Sequence, residues 1–519
     1  MGPIVIRQSL FVPLDDSETD AVAQLVTRLG FGKSDVEVCV VRRSLDARKG
    51  HPLGFRLELT IAKRGEREED RLLPPPQKAA SVRRVVVVGS GPAGTFAADR
   101  LSQAGVEVVV VEQGKPVQPR RHDLASLTQR GALKECSNYC FGEGGAGTFS
   151  DGKLYTRSKD KIGVRTVLRR LAQLGATPDV LVDSRPHIGS NKLPKVLLSF
   201  RAELERRGVQ YLWDEAVAEL MIKGAEVVGV RTVQGRELFA DAVILAVGHS
   251  ARRLYEKLHA QSVALEPKPF AVGARIEHPQ PQIDRIQYGA ALAHPRLPAA
   301  FYQLAVSVKS RGEERGVYSF CMCPGGWVVN SSTEDGALCT NGMSLSRRDS
   351  PFANAALVVT VEPRDYLDRH GGGPLAGIAF QRDIERRAFA LGGGSFVAAT
   401  QRLDDFVAGK PSERCGLSSY RPSTRPGDVR SALPPFVGEA LAMGVMQLDA
   451  RMRGFALPSA QFVGVETRTS SPVRIVRTEG LMSPSHARLF PSAEGAGYAG
   501  GIVSAALDGI RVADAVLRL

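Results

Sequence analysis

The residues best suited to chemistry begin with a run of glycines. Gly89–Ser90–Gly91–Pro92–Ala93–Gly94 follows directly on the β-branched run Val85–Val88. An acid, Glu112, stands about 20 residues further on, followed by Gln113 and Gly114. Each part has a physical task. Gly89 permits a tight turn, Gly91 lets backbone approach a pyrophosphate, and Gly94 lets a helix pack closely on the strand. The N-terminus of that helix offers free N–H groups and a partial positive charge to phosphate oxygens. Glu112 is placed to accept hydrogen bonds from a ribose. A lone GxGxxG is weak evidence; strand, glycines, helix and acid in this order point to a dinucleotide site.

The second unusual stretch is Phe141–Gly142–Glu143–Gly144–Gly145–Ala146–Gly147–Thr148–Phe149–Ser150–Asp151–Gly152–Lys153. Such glycine density is costly in conformational entropy and is expected where backbone meets a ligand or another chain. Gly144, Gly145 and Thr148 are the expected cofactor contacts there, with Arg120 upstream; the other reading is a long irregular surface loop. Lys153, His249, Tyr498 and the Asn341–Ser344 segment are candidates for placing a substrate and moving a proton. Each has a duller reading: Lys153 neutralises phosphate, His249 bonds backbone, Tyr498 packs. Arg468, Arg474 and Arg477 either clamp an anionic substrate or are solvated. Cys136 and Cys140 share one face of a helix if one forms. That spacing is hard to bridge without distortion, so they read as packing thiols. Cys321–Met322–Cys323 lacks a second Cys or His pair, so no zinc or other metal site is expected.

Two further segments decide between nucleotide cofactors, by resemblance. Asp241–Ser250 is an apolar strand ending in Ala246-x-Gly248, with Val217 upstream. It resembles the second fingerprint of glutathione-reductase-type flavoproteins, where a backbone turn passes beside FAD. Leu489–Ile502 resembles the third, an apolar strand followed by Gly-Asp. There the acid holds the ribityl chain and the next helix points its N-terminus at the flavin O2. The implied FAD contacts are Glu494, Gly497, Ala499, Gly500, Gly501 and Ile502. The match departs from the common form: Ser492 and Ala493 precede the acid, which is Glu rather than Asp.

With Arg43–Lys49, Gly142–Lys153, Pro186–Gly189, Phe320–Gly326, Thr340–Ser344 and Glu494–Ile502, nearly the whole chain resembles one family, the FAD-dependent (NAD(FAD)-utilising) dehydrogenases. It is distantly similar to geranylgeranyl reductases and electron-transfer-flavoprotein dehydrogenases. The resemblance implies FAD and an oxidoreductase fold and supplies no substrate; the leading functional class is a dehydrogenase/oxidase or reductase acting on a small organic substrate in a specialised biosynthetic pathway. Oxygen, a nicotinamide or a redox protein would exchange electrons with it. Two other classes stay open: an FAD-dependent RNA-modifying enzyme and a flavin-binding protein without catalysis.

The elements needed to position these residues can be read along the chain. The expected fold is α/β. Residues 1–72 form a small N-terminal α+β module of strand (Ile4–Phe11), helix, strand (Val36–Val41) and strand (Phe55–Ile61). Arg42–Lys49 reads as a solvated hairpin loop or as a contact with the flavin domain. The run Lys63–Arg71 and Pro74–Pro76 make a linker. Residues 80–265 and 455–519 form a three-layer glutathione-reductase-type FAD domain. Residues 266–454 form an inserted sheet-rich substrate domain, with the chain returning near Phe462. That insert holds no strand–glycine–helix–acid unit, so no dedicated NAD(P)H domain is expected.

Composition sets outer bounds. A chain of 519 residues with 43% hydrophobic residues can bury a large core. The net charge of +13 is spread over scattered, mostly arginine residues, which argues against a nucleic-acid partner. Seven dispersed cysteines suggest a reducing, cytoplasmic setting. Met1–Leu10 does not read as a signal peptide, Gly2 does not read as a myristoylation site, and no apolar run spans a bilayer.

Overall fold

A computed structural model describes residues 5–32, 34–48, 50–66 and 70–519. Gly2, Ile4, Lys49 and residues 67–69 of the Lys63–Arg71 run lie outside the described residues.

The run at 85–88 becomes strand Arg84–Val88, the middle of a five-stranded parallel sheet. The sheet order is Leu489–Pro491, Ala242–Leu245, Arg84–Val88, Glu107–Val111, Gln210–Leu212. Strands covered on both faces need unbroken apolar runs, which Val85–Val88, Val108–Val111 and Ala242–Leu245 supply. Helices Pro92–Gln103, Leu193–Arg206 and Ile502–Val516 pack on one face. An antiparallel meander, Val217–Lys223, Glu226–Thr232 and Glu237–Phe239, packs on the other. The result is three layers, and the glycine turn sits at the carboxyl edge of the central strand.

Between Ala242–Leu245 and its sheet neighbour Leu489–Pro491 the chain makes a long excursion. Most of it builds a seven-stranded sheet of order Ala305–Ser310, Glu313–Cys323, Phe352–Val361, Phe270–Pro279, Gln461–Glu466, Ala398–Arg402, Thr424–Pro426. All its pairings are antiparallel except the last. Here the expected return at 455 needs correction. Gln461–Glu466 pairs with Phe270–Pro279 and Ala398–Arg402, so the sheet-rich unit extends through Glu466. The reason is physical: Gln461–Glu466 is buried throughout, and a central antiparallel strand then has the same apolar look as a parallel one.

The N-terminal sheet runs in the expected strand, helix, strand, strand order: Ile6–Pro13, Glu18–Arg28, Val36–Asp46, Gly54–Lys63. Ser17 caps the helix through Asp20 N. The loop reading of residues 42–46 is overturned, because Val36–Asp46 is one continuous strand. Arg43 N donates to Val182 O and Ser184 N donates to Arg43 O, both at 2.8 Å. Its guanidinium pairs with Glu18 and lies 4.0 Å from the Phe55 ring centre. The charges that suggested a loop belong to an edge strand docked on the three-layer unit. Cys136 and Cys140 lie in irregular chain and not on a helix, and both are free thiols. No described helix is long and apolar enough to cross a membrane.

Candidate active site

The carboxyl edge of the parallel sheet opens on a cavity of about 1050 Å³. Gly89, Gly91, Pro92 and Ala93 line one end, together with Glu112 and Gln113. The glycines divide their tasks as expected. A Cβ on Gly89 (φ +102°) would lie 2.4 Å from Ala246 O, and one on Gly94 would lie 1.9 Å from Gly89 O. A Cβ on Gly91 would meet nothing within 4 Å, only the cavity. Helix Pro92–Gln103 starts at Gly91 with no side-chain cap, so its first N–H groups are left for a ligand. Glu112 is fully engaged: Oε2 accepts from Ser90 N (2.9 Å) and Ser90 Oγ (2.8 Å), and Oε1 from Gly114 N (2.9 Å) and Gly142 N (3.0 Å). It ties the first glycine turn to the second glycine loop. Gly144 N closes the same junction on Ser90 O at 2.9 Å.

The other two turns converge on this cavity. Val217, Ala246, Gly248, His249, Glu494, Gly501 and Ile502 line it. The position before the acid is Ala493, and it takes φ +56°, the left-handed conformation that a glycine would adopt freely. Asp508 holds it there, accepting from Ala493 N (2.6 Å) and Ser492 Oγ (3.1 Å) while pairing with Arg477. Tyr255 Oη lies 2.6 Å from Gly495 O and 3.0 Å from Gly248 O, joining the second and third turns. Helix Ile502–Val516 begins at Gly501, again without a side-chain cap. Two uncapped helix N-termini therefore face one cavity. Glu494 makes no side-chain hydrogen bond among the described residues, and burial pushes its pKa up to about 7, with Lys268 opposing.

The far wall comes partly from the sheet-rich unit. Cys321, Asn341, Thr333 and Arg468 face Lys153 and His249. Lys153 Nζ lies 3.5 Å from the Sγ of both Cys321 and Cys323 and 3.4 Å from Asp151. Burial works against its charge, but the Cys321, Cys323 and Asp151 side chains beside it outweigh burial and raise its pKa. Lys153 is thus a cationic donor and not a base. Burial, with Arg468 and Arg252 nearby, lowers the His249 pKa to about 4, so its ring is neutral at pH 7. Its Nδ1 is 2.8 Å from Ser250 Oγ. Arg468 is already committed: Glu385 accepts two of its hydrogen bonds at 3.0 and 2.8 Å, and Thr333 takes a third.

These features fit a bound dinucleotide: an open Gly91 face, two uncapped helix ends and an unsatisfied acid lie along one cavity. Comparison with known proteins agrees. Residues 83–129 match an FAD binding domain, and residues 269–469 match the model described as FAD-dependent protein, C-terminal domain-like. Structural likenesses are weak. Glycine oxidase from Geobacillus kaustophilus aligns over 84% of this chain and 95% of its own at 13% identity and TM-score 0.36. A digeranylgeranylglycerophospholipid reductase of Haloferax volcanii is 27% identical over 32% of this chain and 36% of its own. An uncharacterized protein of Clostridium beijerinckii is 38% identical over 97% of both chains. The chain belongs to this family of FAD-dependent proteins. It is an FAD-dependent oxidoreductase; bound FAD supplies the two-electron step, and the chain supplies position, charge and protons.

Several expected FAD contacts turn out to act on the fold instead. Arg120 is fully buried, and its N–H groups donate to Asn138 O, Glu143 O, Tyr139 O, Gly145 O and Thr148 Oγ1 at 2.8–3.4 Å. All five donors of an arginine are thereby used in shaping the glycine loop. Thr148 is buried and donates to Glu143 O. Gly114 and Gly144 serve packing, as Gly94 was expected to: their added Cβ atoms would strike Gly142 N and Thr148 Oγ1. Gly497, Ala499 and Gly500 shape the third turn behind the lining residues, whereas Gly145 lines the cavity. Tyr498 needs correction as a catalytic candidate. It is 37% exposed, accepts from Arg477 N at 3.0 Å and stacks under the Arg477 guanidinium at 3.9 Å, away from the cavity lining. Arg477 is held by Asp508, Arg474 reaches Glu266, and neither lines the cavity. Sequence reasoning missed Tyr255 and Asp508, which carry no motif. It saw Cys321 and Cys323 but weighed them only as metal ligands.

Proposed function

We propose that this protein is a glutathione-reductase-type flavoenzyme that oxidises or reduces a small organic substrate between its flavin and the sheet-rich unit. The observation that carries this reading is the continuity of one cavity. It runs from the uncapped helix at Gly91, past the second helix end at Gly501, to a wall built by Cys321, Asn341 and Arg468. Its volume of about 1050 Å³ is at the top of the usual range for ligand sites, roughly 300–1,000 Å³, so a substrate can share it with a cofactor. In this reading the N–H groups after Gly91 hold the pyrophosphate, while Glu112, whose oxygens are taken by Ser90, Gly114 and Gly142 and not by a ribose as expected, fixes the glycine turn beside it. Glu494 holds the ribityl hydroxyls, and the helix end at Gly501–Ile502 steadies charge on the flavin. Lys153 orients an electron-rich substrate atom; His249, neutral, accepts a hydrogen bond. The working units are residues 1–72, 80–265 with 467–519, and 266–466.

The seven-stranded sheet is antiparallel but for one pair, and that parallel link, from Ala398–Arg402 through helix Leu403–Ala408 to Thr424–Pro426, has no glycine turn between strand and helix; this favours electron exchange with oxygen or a redox protein over a resident nicotinamide. The holoprotein should release FAD, not FMN, on denaturation. Anaerobic mixing with NADH or NADPH alone should bleach the flavin slowly and without saturation. Fast bleaching that saturates at low nicotinamide concentration would overturn the electron route, and a protein that releases FMN would overturn the site.

A further inference from the structure

We propose that Cys321 and Cys323 form a redox-active dithiol on the cavity wall, exchanging two electrons with the bound FAD. This rests on the proposed placement of the flavin within the cavity.

Three independent observations bring the pair together. First, strand Glu313–Cys323 breaks its pairing with Phe352–Val361 between Phe320 and Cys323. Cys321, inside that bulge, takes φ +48°, a conformation unfavourable for any side chain with a Cβ. Strain of this kind persists only where surroundings enforce it, and it clusters at working sites. Residues two apart in a regular strand lie near the outer limit for a disulfide, so a bulge is the device that can bring two such sulfurs closer. Secondly, one cation serves both sulfurs: Lys153 Nζ is 3.5 Å from each Sγ. Arg275 Nη2 adds contacts to Cys323 Sγ (3.9 Å) and Cys321 O (3.2 Å). Thirdly, access is unequal. Cys321 lines the cavity, while Cys323 is buried behind it, as attacking and resolving thiols are arranged.

The electrostatics agree with that division. The Cys321 pKa falls to about 5, because the neighbouring Cys323 side chain, Lys153 and Arg275 favour the anion against burial; the Cys323 thiol itself donates to Cys321 O at 3.4 Å. The Cys323 pKa moves the opposite way. Other charged or titratable groups facing the pair are Asp151, Tyr155, Tyr302 and Glu466. Asp151 is neutralised by Lys153 and Arg348, and Glu466 pairs with Arg275 at 3.1 Å.

The balance closes without another reagent. The Cys321 thiolate and Cys323 thiol join through one S–S bond. Two electrons and one proton leave the pair for the FAD, and the second proton is the one Cys321 released on ionising. In reverse, reduced flavin opens the disulfide. An organic dithiol or disulfide entering the cavity would exchange with Cys321.

The test uses the holoprotein. Anaerobic dithionite titration of air-oxidised protein should consume about four electrons per FAD, against about two in Cys321→Ser and Cys323→Ser. A second readout needs no flavin. Alkylation under denaturing conditions, followed by peptide mass analysis, should find residues 321 and 323 blocked before reduction and both modified after it. In the reduced protein, Lys153→Met should move the midpoint of Cys321 alkylation from about pH 5 toward ordinary thiol values near 8.5. Wild-type uptake of about two electrons per FAD, with both cysteines alkylated before reduction, would overturn the proposal. A colourless protein would overturn the flavin site instead, and the alkylation readout would still judge the pair.

Discussion

Replacing Glu494 with Gln should make the apoprotein more stable and its grip on FAD weaker. The carboxyl is buried against the cavity with Lys268 as partial compensation, and its pKa stands at about 7 against an ordinary 4.5. The folded chain therefore holds a proton that the unfolded chain has released between those pH values. Stability from this group is complete below pH 4.5 and is lost as pH rises through 7. A tenfold change in proton affinity is worth about 1.4 kcal/mol, so the rise from 4.5 to about 7 sets a ceiling of about 3 kcal/mol. Contact with cavity water brings the expected cost to roughly 2 kcal/mol at pH 8. Glutamine cannot ionise, so Glu494→Gln should raise the apoprotein melting temperature by a few degrees at pH 8 and leave it unchanged near pH 4.5. Toward FAD the sign reverses. A ribityl hydroxyl bonded to a carboxylate gains about 1–2 kcal/mol over one bonded to an amide, so the Kd should rise roughly 5- to 30-fold. Calorimetric melting at the two pH values and flavin fluorescence titration read both effects. An apoprotein no more stable at pH 8, or unchanged FAD affinity, would show that Glu494 is not a buried acid held for the flavin.

Other perturbations separate binding from folding. Gly91→Val should fold normally, since its Cβ meets only open cavity, yet lose FAD. The forfeited N–H contacts and helix-end charge are worth about 3–7 kcal/mol, or more than roughly 100-fold in affinity. Gly94→Ala should instead lower stability, its Cβ lying 1.9 Å from Gly89 O; a stable Gly94→Ala that binds FAD would contradict the packing. His278 is fully buried, with Nε2 2.8 Å from Phe455 O and a pKa lowered to about 4 by burial. The unfolded chain takes up a proton below pH 6.5 that the folded one refuses, so stability should fall as pH drops from 6.5 toward 4, and His278→Gln should flatten that slope in denaturant titrations. The Cys136→Ser, Cys140→Ser double variant should keep its FAD and its electron uptake; loss of the extra electron pair there would move the dithiol to the wrong cysteines.

What the sequence revealed was local. Val85–Val88, Gly89–Gly94 and Glu112 lie within one strand–turn–helix–strand unit, so their spacing and their geometry are nearly the same information. Short-range patterns failed where the deciding partner was remote. Arg42–Asp46 looked like solvent-facing loop because the partners of Arg43, namely Glu18 and the 182–184 backbone, are far along the chain. Gln461–Glu466 looked like a returning flavin-sheet strand because burial on both faces erases the alternation that would have marked it. Arg120 looked like a cofactor contact because nothing in its neighbourhood announces five loop carbonyl and hydroxyl oxygens waiting for it.

The third turn shows how far a departure from a motif can be judged by its supports. A glycine before the acid would take positive φ freely; Ala493 takes φ +56° at a cost of about 1–2 kcal/mol. Two hydrogen bonds from that turn to Asp508, itself braced by Arg477, offset a cost of this size. Arg477 is held in turn by Tyr498, which stacks on it and accepts from its backbone N–H. Tyr498 and Arg477, put forward from sequence for catalysis and substrate binding, are thus braces of this unusual turn. The cysteine bulge that sequence reading set aside carries a strained backbone next to a cation in the cavity. Strain and charge, more than residue type, mark where this fold departs from what packing alone requires.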